Sequence, residues 1–425
     1  MSRRFVVLAL ALATLMVPEL HAQTPLQTAI DGMHFREIGP AIMGGRVADV
    51  APIESKPTSF YVGLATGGVW LTENNGMSWT PLFDDQECAS VGDVTVHQAN
   101  PNVVWVGTGE PQNRQSSPWG CGVFKSTDGG LTWSDMGLTE TRHISKIAIH
   151  PSNPDVVYVA AVGHLFGSNE ERGVYKTVDG GANWERVLYI DEHTGAIDMV
   201  MDPSDPNTLF AAMYQRERKS FGFSAGGDGS GLYRSTDGGA TWTELTEGLP
   251  AGDKGRIGID VYRRDGNLVY ALVESDQSGR GLYKSTDRGE SWERVSTRNP
   301  RPMYFSLVRI DPNNPERIYL GGVAFSASDD GGKTWWQGDA AANLHVDHHA
   351  LWIDPNNSDY VVLGSDGGIS SSWDGAQTWR HHNNLAIGQF YEIGVDMSEP
   401  YKVCGGLQDN SSWCAPNETN TPYGV

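Results

Sequence analysis

The chain has 425 residues, with 51 Gly, 22 Pro and 10% aromatic residues, a composition of many turns and packed rings that suits an all-β protein of short strands. Lys and Arg number 31 against 52 Asp and Glu, a net charge of −21. Such a surface repels phosphate backbones and anionic membranes, which excludes nucleic acid as a partner; a cationic peptide, a neutral glycan or a divalent cation is tolerated.

At the N-terminus, Arg3 and Arg4 precede an apolar run over 5–17, and small Ala22 closes the segment Pro18-Glu19-Leu20-His21-Ala22. That order predicts a secretory signal over 1–22, cleaved near Ala22, and hence a secreted or periplasmic protein. A run of about 13 apolar residues is too short to span a bilayer, and no later run is longer, so the mature chain is expected to have no membrane span. Residues 23–33 read as a linker.

From residue 34 to 390 the chain is repetitive. The pattern Ser/Thr-x-Asp-x-Gly-x-x-Trp stands complete at Ser126/Asp128/Gly130/Trp133 and returns with Asp179, Asp237, Asp287 and Asp330. Two copies depart from it: Asn74 replaces the Asp in the first, and Ala376 replaces the Gly in the copy built on Asp374. Successive boxes start 54, 51, 58, 50, 43 and 44 residues apart, the period of a four-stranded propeller blade. The Asp accepts N–H bonds inside a tight turn, the Gly supplies positive φ, and the Trp opens the next strand. Between boxes lie Pro/Asn turns such as His150-Pro-Ser-Asn-Pro-Asp155, each separating two short apolar strands. One blade therefore reads strand a, Pro/Asn turn, strand b, variable loop, strand c, Asp-box turn, strand d. Seven boxes predict seven blades. A further inner strand begins near Phe390 with no box after it, so 391–425 reads as the start of another blade or a ring closure, and a truncated piece of a longer protein is the favoured alternative.

The four cysteines allow three pairings. Cys404 with Cys414 closes a short loop, and Cys88 with Cys121 links neighbouring segments; unpaired burial is the alternative.

These boxes resemble the Asp-box (BNR) superfamily, which includes sialidases, xyloglucanase-type glycoside hydrolases and the sortilin ectodomain. Gly107-Thr-Gly-Glu110, 172–177, 345–354 and Gly405-Gly-Leu-Gln-Asp-Asn410 are also similar to large bacterial proteins of sortilin-like or glycosyl-hydrolase-like type. The resemblance spans roughly 34–413 and implies a propeller; the boxes are structural and say little about function.

Antiparallel topology puts the short Pro/Asn turns and Asp boxes on one face and the b–c and d–a connections on the other, where function is expected. The b–c loops offer Glu110, Asn113, Arg114 and Trp119 in blade 2, His164, Glu170, Glu171 and Arg172 in blade 3, and a basic patch at Arg216 in blade 4. Arg forks suit carboxylates, so that patch reads as an anion clamp or a solvated loop. Tyr304, His348, Gln408 and Asp409 fall on the same face. His345, Asp347 and His349 alternate along an extended chain and are candidate ligands of a divalent cation, the only cofactor expected and not a required one. Glycoside hydrolysis needs two carboxylates across one bond, and Glu110, Glu171 and Asp409 are the candidates. Xyloglucanase-like enzymes carry an Asp before a Gly-Gly early in the first blade, whereas this chain has Ala65-Thr66-Gly67-Gly68 there. The expected function is accordingly a sortilin-like propeller holding a peptide or glycan on this face, with a polysaccharide hydrolase as the alternative. Gly222-Phe-Ser224-Ala-Gly226 matches a nucleophile elbow by chance, since no helical pattern follows it.

Overall fold

A computed structural model describes residues 44–114, 116–276, 278–337, 344–409 and 411–418, with 26, 32 and 33. The predicted signal over 1–22 lies outside the described residues. Eight antiparallel sheets follow one another along the chain from Val47 to Pro416. Blade 1 is Val47–Pro52, Phe60–Leu64, Gly68–Thr72 and Thr80–Pro81, and the same a-b-c-d order recurs through blade 7, which begins at His348–Asp354. Among the described residues blade 6 has three strands, and an isolated bridge between Ala327 and Trp336 follows them.

The apolar core is divided among the blade interfaces. Seven clusters of buried side chains each join consecutive blades: Tyr61 and Phe83 with Val104 and Phe124, Trp105 with Ile144 and Val159, Tyr158 with Leu209, and so on around. The seventh joins Val47, Phe60 and Trp70 of blade 1 to Ala350, Tyr360 and Val362 of blade 7. The ring therefore closes on itself with seven blades. The eighth sheet, Phe390–Val395, Lys402–Leu407 and Ser412–Pro416, lies outside it, with Tyr391, Ile393 and Val395 exposed. The cysteines are paired as Cys88–Cys121 and Cys404–Cys414.

Each Asp box is a self-contained hydrogen-bonded unit. Asp128 Oδ1 accepts from the Ser126 hydroxyl at 2.8 Å and from the Thr132 N–H at 2.9 Å, while Gly130 N–H donates to Ser126 Oγ at 2.8 Å. Hydrogen bonds from Thr132, first from its hydroxyl, hold the Asp128 carboxyl down at about 2. Gly130 has φ +92, whereas Ala376 must adopt φ +70 in the seventh box, a conformation that costs a Cβ-bearing residue energy. Several box tryptophans bond across to the preceding blade, Trp133 Nε1 to Leu82 O and Trp184 Nε1 to Met136 O, both at 2.7 Å. Trp79 Nε1 does the same across the closure, 3.2 Å from Asn384 Oδ1, whereas Trp292 Nε1 bonds Gly289 O of its own box.

Asp128→Ala is expected to lower Tm by a few degrees while ligand binding by the folded fraction is retained. Differential scanning calorimetry beside affinity electrophoresis checks this; lost binding at unchanged Tm would contradict it.

The first strands of all seven blades line one channel cavity of about 290 Å³. Here carboxylates staple neighbours together. Asp93 Oδ2 accepts from Ile147 N–H at 3.0 Å, Asp198 Oδ2 from Ile259 N–H at 3.0 Å, and Asp260 Oδ2 from Ile310 N–H at 2.6 Å. Lys146 bridges Asp93 and Asp49, at 2.6 and 3.3 Å.

Candidate functional site

At the mouth of the channel, on the face of the b–c and d–a connections, lies a pocket of about 390 Å³. Its floor is organised by Arg46, the residue before the first strand, which is 2% exposed. The guanidinium grips Asp366 with two bonds, Nε to Oδ1 and Nη2 to Oδ2, both 2.5 Å. Nη1 meets Glu110 Oε1 at 2.5 Å, and Nη2 lies 3.5 Å from Asp409 Oδ2. His349 Nε2 stands 2.7 Å from Asp366 Oδ1, and the Tyr304 ring lies beside Arg46 at 5.8 Å. A bidentate fork is the strongest pairing a carboxylate has in a buried place.

The eighth sheet supplies one wall. Its second hairpin ends at Gln408 and Asp409. Gln408 Oε1 accepts from Arg114 Nη2 at 2.5 Å and from the Tyr391 hydroxyl at 2.7 Å, and Gln408 Nε2 donates to Asp409 Oδ2 at 2.9 Å. Opposite, Arg301 Nη1 lies 3.8 Å from Asp347 Oδ2. Arg301, Asp347 and Asp409 all hold left-handed backbone, with φ +50, +66 and +49. Strain of this kind gathers at sites that need fixed side chains.

The carboxylates are tuned apart. Burial opposes ionisation of Asp366, but His349 and Arg46 outweigh it and hold the acid well below the usual range. Burial pushes His349 down against the pull of Asp366, to which its Nε2 is hydrogen-bonded. Burial raises Glu110 to about 7 against the pull of Arg46. Burial also raises Asp347 and Asp409, and the charge of Asp366 adds to both. Asp347 and Asp409 both open onto the pocket, and the charge of Asp409 adds to the rise of Asp347.

Of the residues expected from the sequence, Asn113, Arg114, Tyr304, Asp347, Gln408 and Asp409 line this pocket. Others stand elsewhere. Arg172 is fully buried and its guanidinium caps the carbonyls of Val162, His164 and Gly167, a scaffold role. Arg216 is buried with Nη1 on Pro111 O at 2.6 Å, beneath the mouth. Glu171 is exposed and bonded to Asn169 Nδ2, and His164 Nε2 lies 3.2 Å from Glu140 O. Trp119 is exposed, with Arg142 over its ring at 5.2 Å. Glu110 is sealed behind Arg46 with no exposure, which removes it as a catalytic candidate.

The proposed metal triad does not converge. Alternation from 345 to 349 needed an extended chain, but the strand begins at His348, Asp347 is left-handed, and a register shift falls between His348 and Ala350. His349 bonds Asp366, His348 packs against Phe325, and His345 Nδ1 lies 2.8 Å from Val346 O. Among the described residues no group of three such side chains is arranged to hold a metal ion.

Arg46 and Asp366 were not anticipated. Asp366 had a signal: Gly364-Ser-Asp366-Gly-Gly368 places an Asp before a Gly-Gly in the blade 7 b–c hairpin, where blade 1 has Ala65-Thr66-Gly67-Gly68. Ser224 sits on an exposed strand, as a chance motif match should.

Ring, boxes and mouth together define an Asp-box β-propeller. Residues 121–251 match the Sortilin-Vps10 family, described as sortilin, neurotensin receptor 3. A xyloglucanase of Paenibacillus sp is 26% identical over 234 residues, covering 49% of this chain and 22% of that protein. Xyloglucanase Xgh74A of Acetivibrio thermocellus is 22% identical over 243 residues, covering 49% and 26%. The chain thus spans about a quarter of the length of these curated relatives. The solved GH74 xyloglucanase from Xanthomonas campestris superposes with a TM-score of 0.66 at 17% identity, covering 89% of this chain and 60% of that one. YCF48 bound to D1 peptide superposes with a TM-score of 0.51 at 17% identity, covering 80% and 98%. Among the described residues no helix is long and apolar enough to cross a membrane.

Proposed function

We propose that this propeller is a glycoside hydrolase acting on a polysaccharide held across the mouth, rather than a peptide receptor. The observation that carries the reading is the pair Asp347 and Asp409, two carboxyls raised by burial and by Asp366 that open to one pocket. With two carboxyls held above their ordinary range at one pocket, one member can act as acid while the other acts as base. Asp366 fixes the field in which they titrate and is a positioning residue.

The rim suits sugars. Trp119, Phe166, Phe221 and Phe223 are exposed on the b–c loops of blades 2, 3 and 4. Aromatic faces carry negative charge density that attracts the electropositive C–H face of a pyranose ring. The xyloglucanase relatives point the same way, and two disulfides fit a secreted or periplasmic location. No metal or other cofactor enters the proposed chemistry.

Incubating the protein with a panel of plant and bacterial polysaccharides, xyloglucan included, is expected to release reducing ends and to retard the protein in affinity gels. Neither effect on any polymer, together with micromolar binding of a peptide at the mouth, would refute the reading.

A further inference from the structure

Blade 4 departs from its neighbours above the ring. Its second strand runs on to Lys219 and pairs with an added strand, Gly222–Ala225, so that Arg218 faces Phe223. The other edge of this extension is held by blade 3: Arg218 N–H donates to Leu165 O at 2.9 Å, and Phe166 bridges Arg218. The backbone at Arg218 is therefore fixed on both sides. Alternation along a strand sends Glu217 and Lys219 to the opposite face, where they pair with each other at 3.6 Å.

That leaves Arg218 unbalanced. It lines the mouth pocket, is only 7% exposed, and has no carboxylate within ion-pairing distance among the described residues. Its Nε has no hydrogen-bond partner, and its guanidinium stacks 4.9 Å from the Phe223 ring. Arg216, two residues earlier on the same face, also has Nε and Nη2 unpartnered. A buried guanidinium without an anion is costly, and in a chain of net charge −21 there is no shortage of carboxylates to supply one. The other pocket arginines are engaged: Arg46 by three carboxylates, Arg114 by Gln408, and Arg301 by Asp347.

Resting on the glycan reading above, we propose that the mouth selects an acidic polysaccharide, with Arg218 receiving the carboxylate of a hexuronic acid residue while Phe223 lies against the sugar. The planar fork matches a carboxylate. A single negative charge fits this wall, whereas a dianionic phosphate meets Asp347, Asp366 and Asp409 across the same pocket. The hydroxyls of a uronate ring leave those acids with donors to accept from.

The test uses the full chain with polygalacturonate and glucuronoxylan, the same polymers after carboxyl reduction, dextran sulfate, and neutral xyloglucan, with affinity electrophoresis and calorimetric titration as readouts. The uronate polymers are expected to bind at least tenfold tighter than their reduced forms. Arg218→Gln is expected to remove most of that difference, through a much larger loss on the native than on the reduced polymers, and Arg218→Lys to restore part of it. Unchanged far-ultraviolet circular dichroism and Tm confirm that the variants are folded. Equal binding of native and reduced polymers, or an equal loss on both in Arg218→Gln, would overturn the proposal and leave the glycan reading standing. Preference for dextran sulfate, or for a peptide C-terminal carboxylate, over uronate would overturn it too. If no polymer binds at all, the glycan reading itself is lost.

Discussion

Replacing Arg46 with Met is expected to cost about 3–5 kcal/mol of folding stability, because it strands two buried carboxylates that now share one cation. Glu110 has no exposure and Asp366 almost none, so water cannot take over from the guanidinium. Burial already raises Glu110 to about 7, and loss of Arg46 raises it further. A carboxyl whose folded-state pKa is raised stabilises below its unfolded value and loses that contribution as pH climbs through the folded one. The deficit of Arg46→Met should therefore be smaller near pH 5 than near pH 8. Urea unfolding at both pH values measures it. Adding Glu110→Gln and Asp366→Asn to Arg46→Met is expected to recover a large part of the loss, since the stranded charges go with it. A deficit below about 1 kcal/mol in the single variant would mean that the cluster is not a structural keystone.

The second large effect concerns turnover. Asp409→Asn and Asp347→Asn are each expected to lower kcat on a responsive polysaccharide by about 10²–10⁴-fold, the usual worth of a positioned acid or base. Asp409 is partly exposed and Asp347 lies 3.8 Å from Arg301, so Tm should move little. Because burial and neighbouring charge raise both acids, the rising limb of the pH–rate profile should lie above the ordinary carboxylate value of about 4. Either variant retaining near-normal kcat would remove that residue from the chemistry. An acid limb at or below pH 4 would contradict the raised pair.

The blades were legible in the sequence because an Asp box is local chemistry: Ser126, Asp128, Gly130 and Thr132 satisfy one another within seven residues. The face that carries the pocket was also legible, since it follows from antiparallel order alone. The site was only partly so. Arg114, Asp347, Gln408 and Asp409 stood out by composition, but Arg46 and Asp366 are single charges 320 positions apart, joined only when the ring closes. Arg172 misled because a guanidinium can cap carbonyls as readily as it binds a ligand. The His345/Asp347/His349 reading failed for a conformational reason, a left-handed residue and a late strand start, which no alternation count contains. Glycan hydrolysis, carried as the alternative to peptide or glycan binding, is the reading that the relatives and the paired acids favour.

The bond between Trp79 and Asn384 also sets a clock for biosynthesis. These partners are 305 positions apart, and the same seam holds Tyr360 against Asn75. At about 5–20 residues per second, a ribosome needs roughly 15–60 s to supply the second half of that seam after the first. Until then the apolar flank of blade 1, with Val47, Phe60 and Trp70, has no partner of its own. A chain interrupted before residue 384 is expected to be a client for holding chaperones and proteases, so truncation from the C-terminal side should be tolerated down to that seam and abruptly not beyond it.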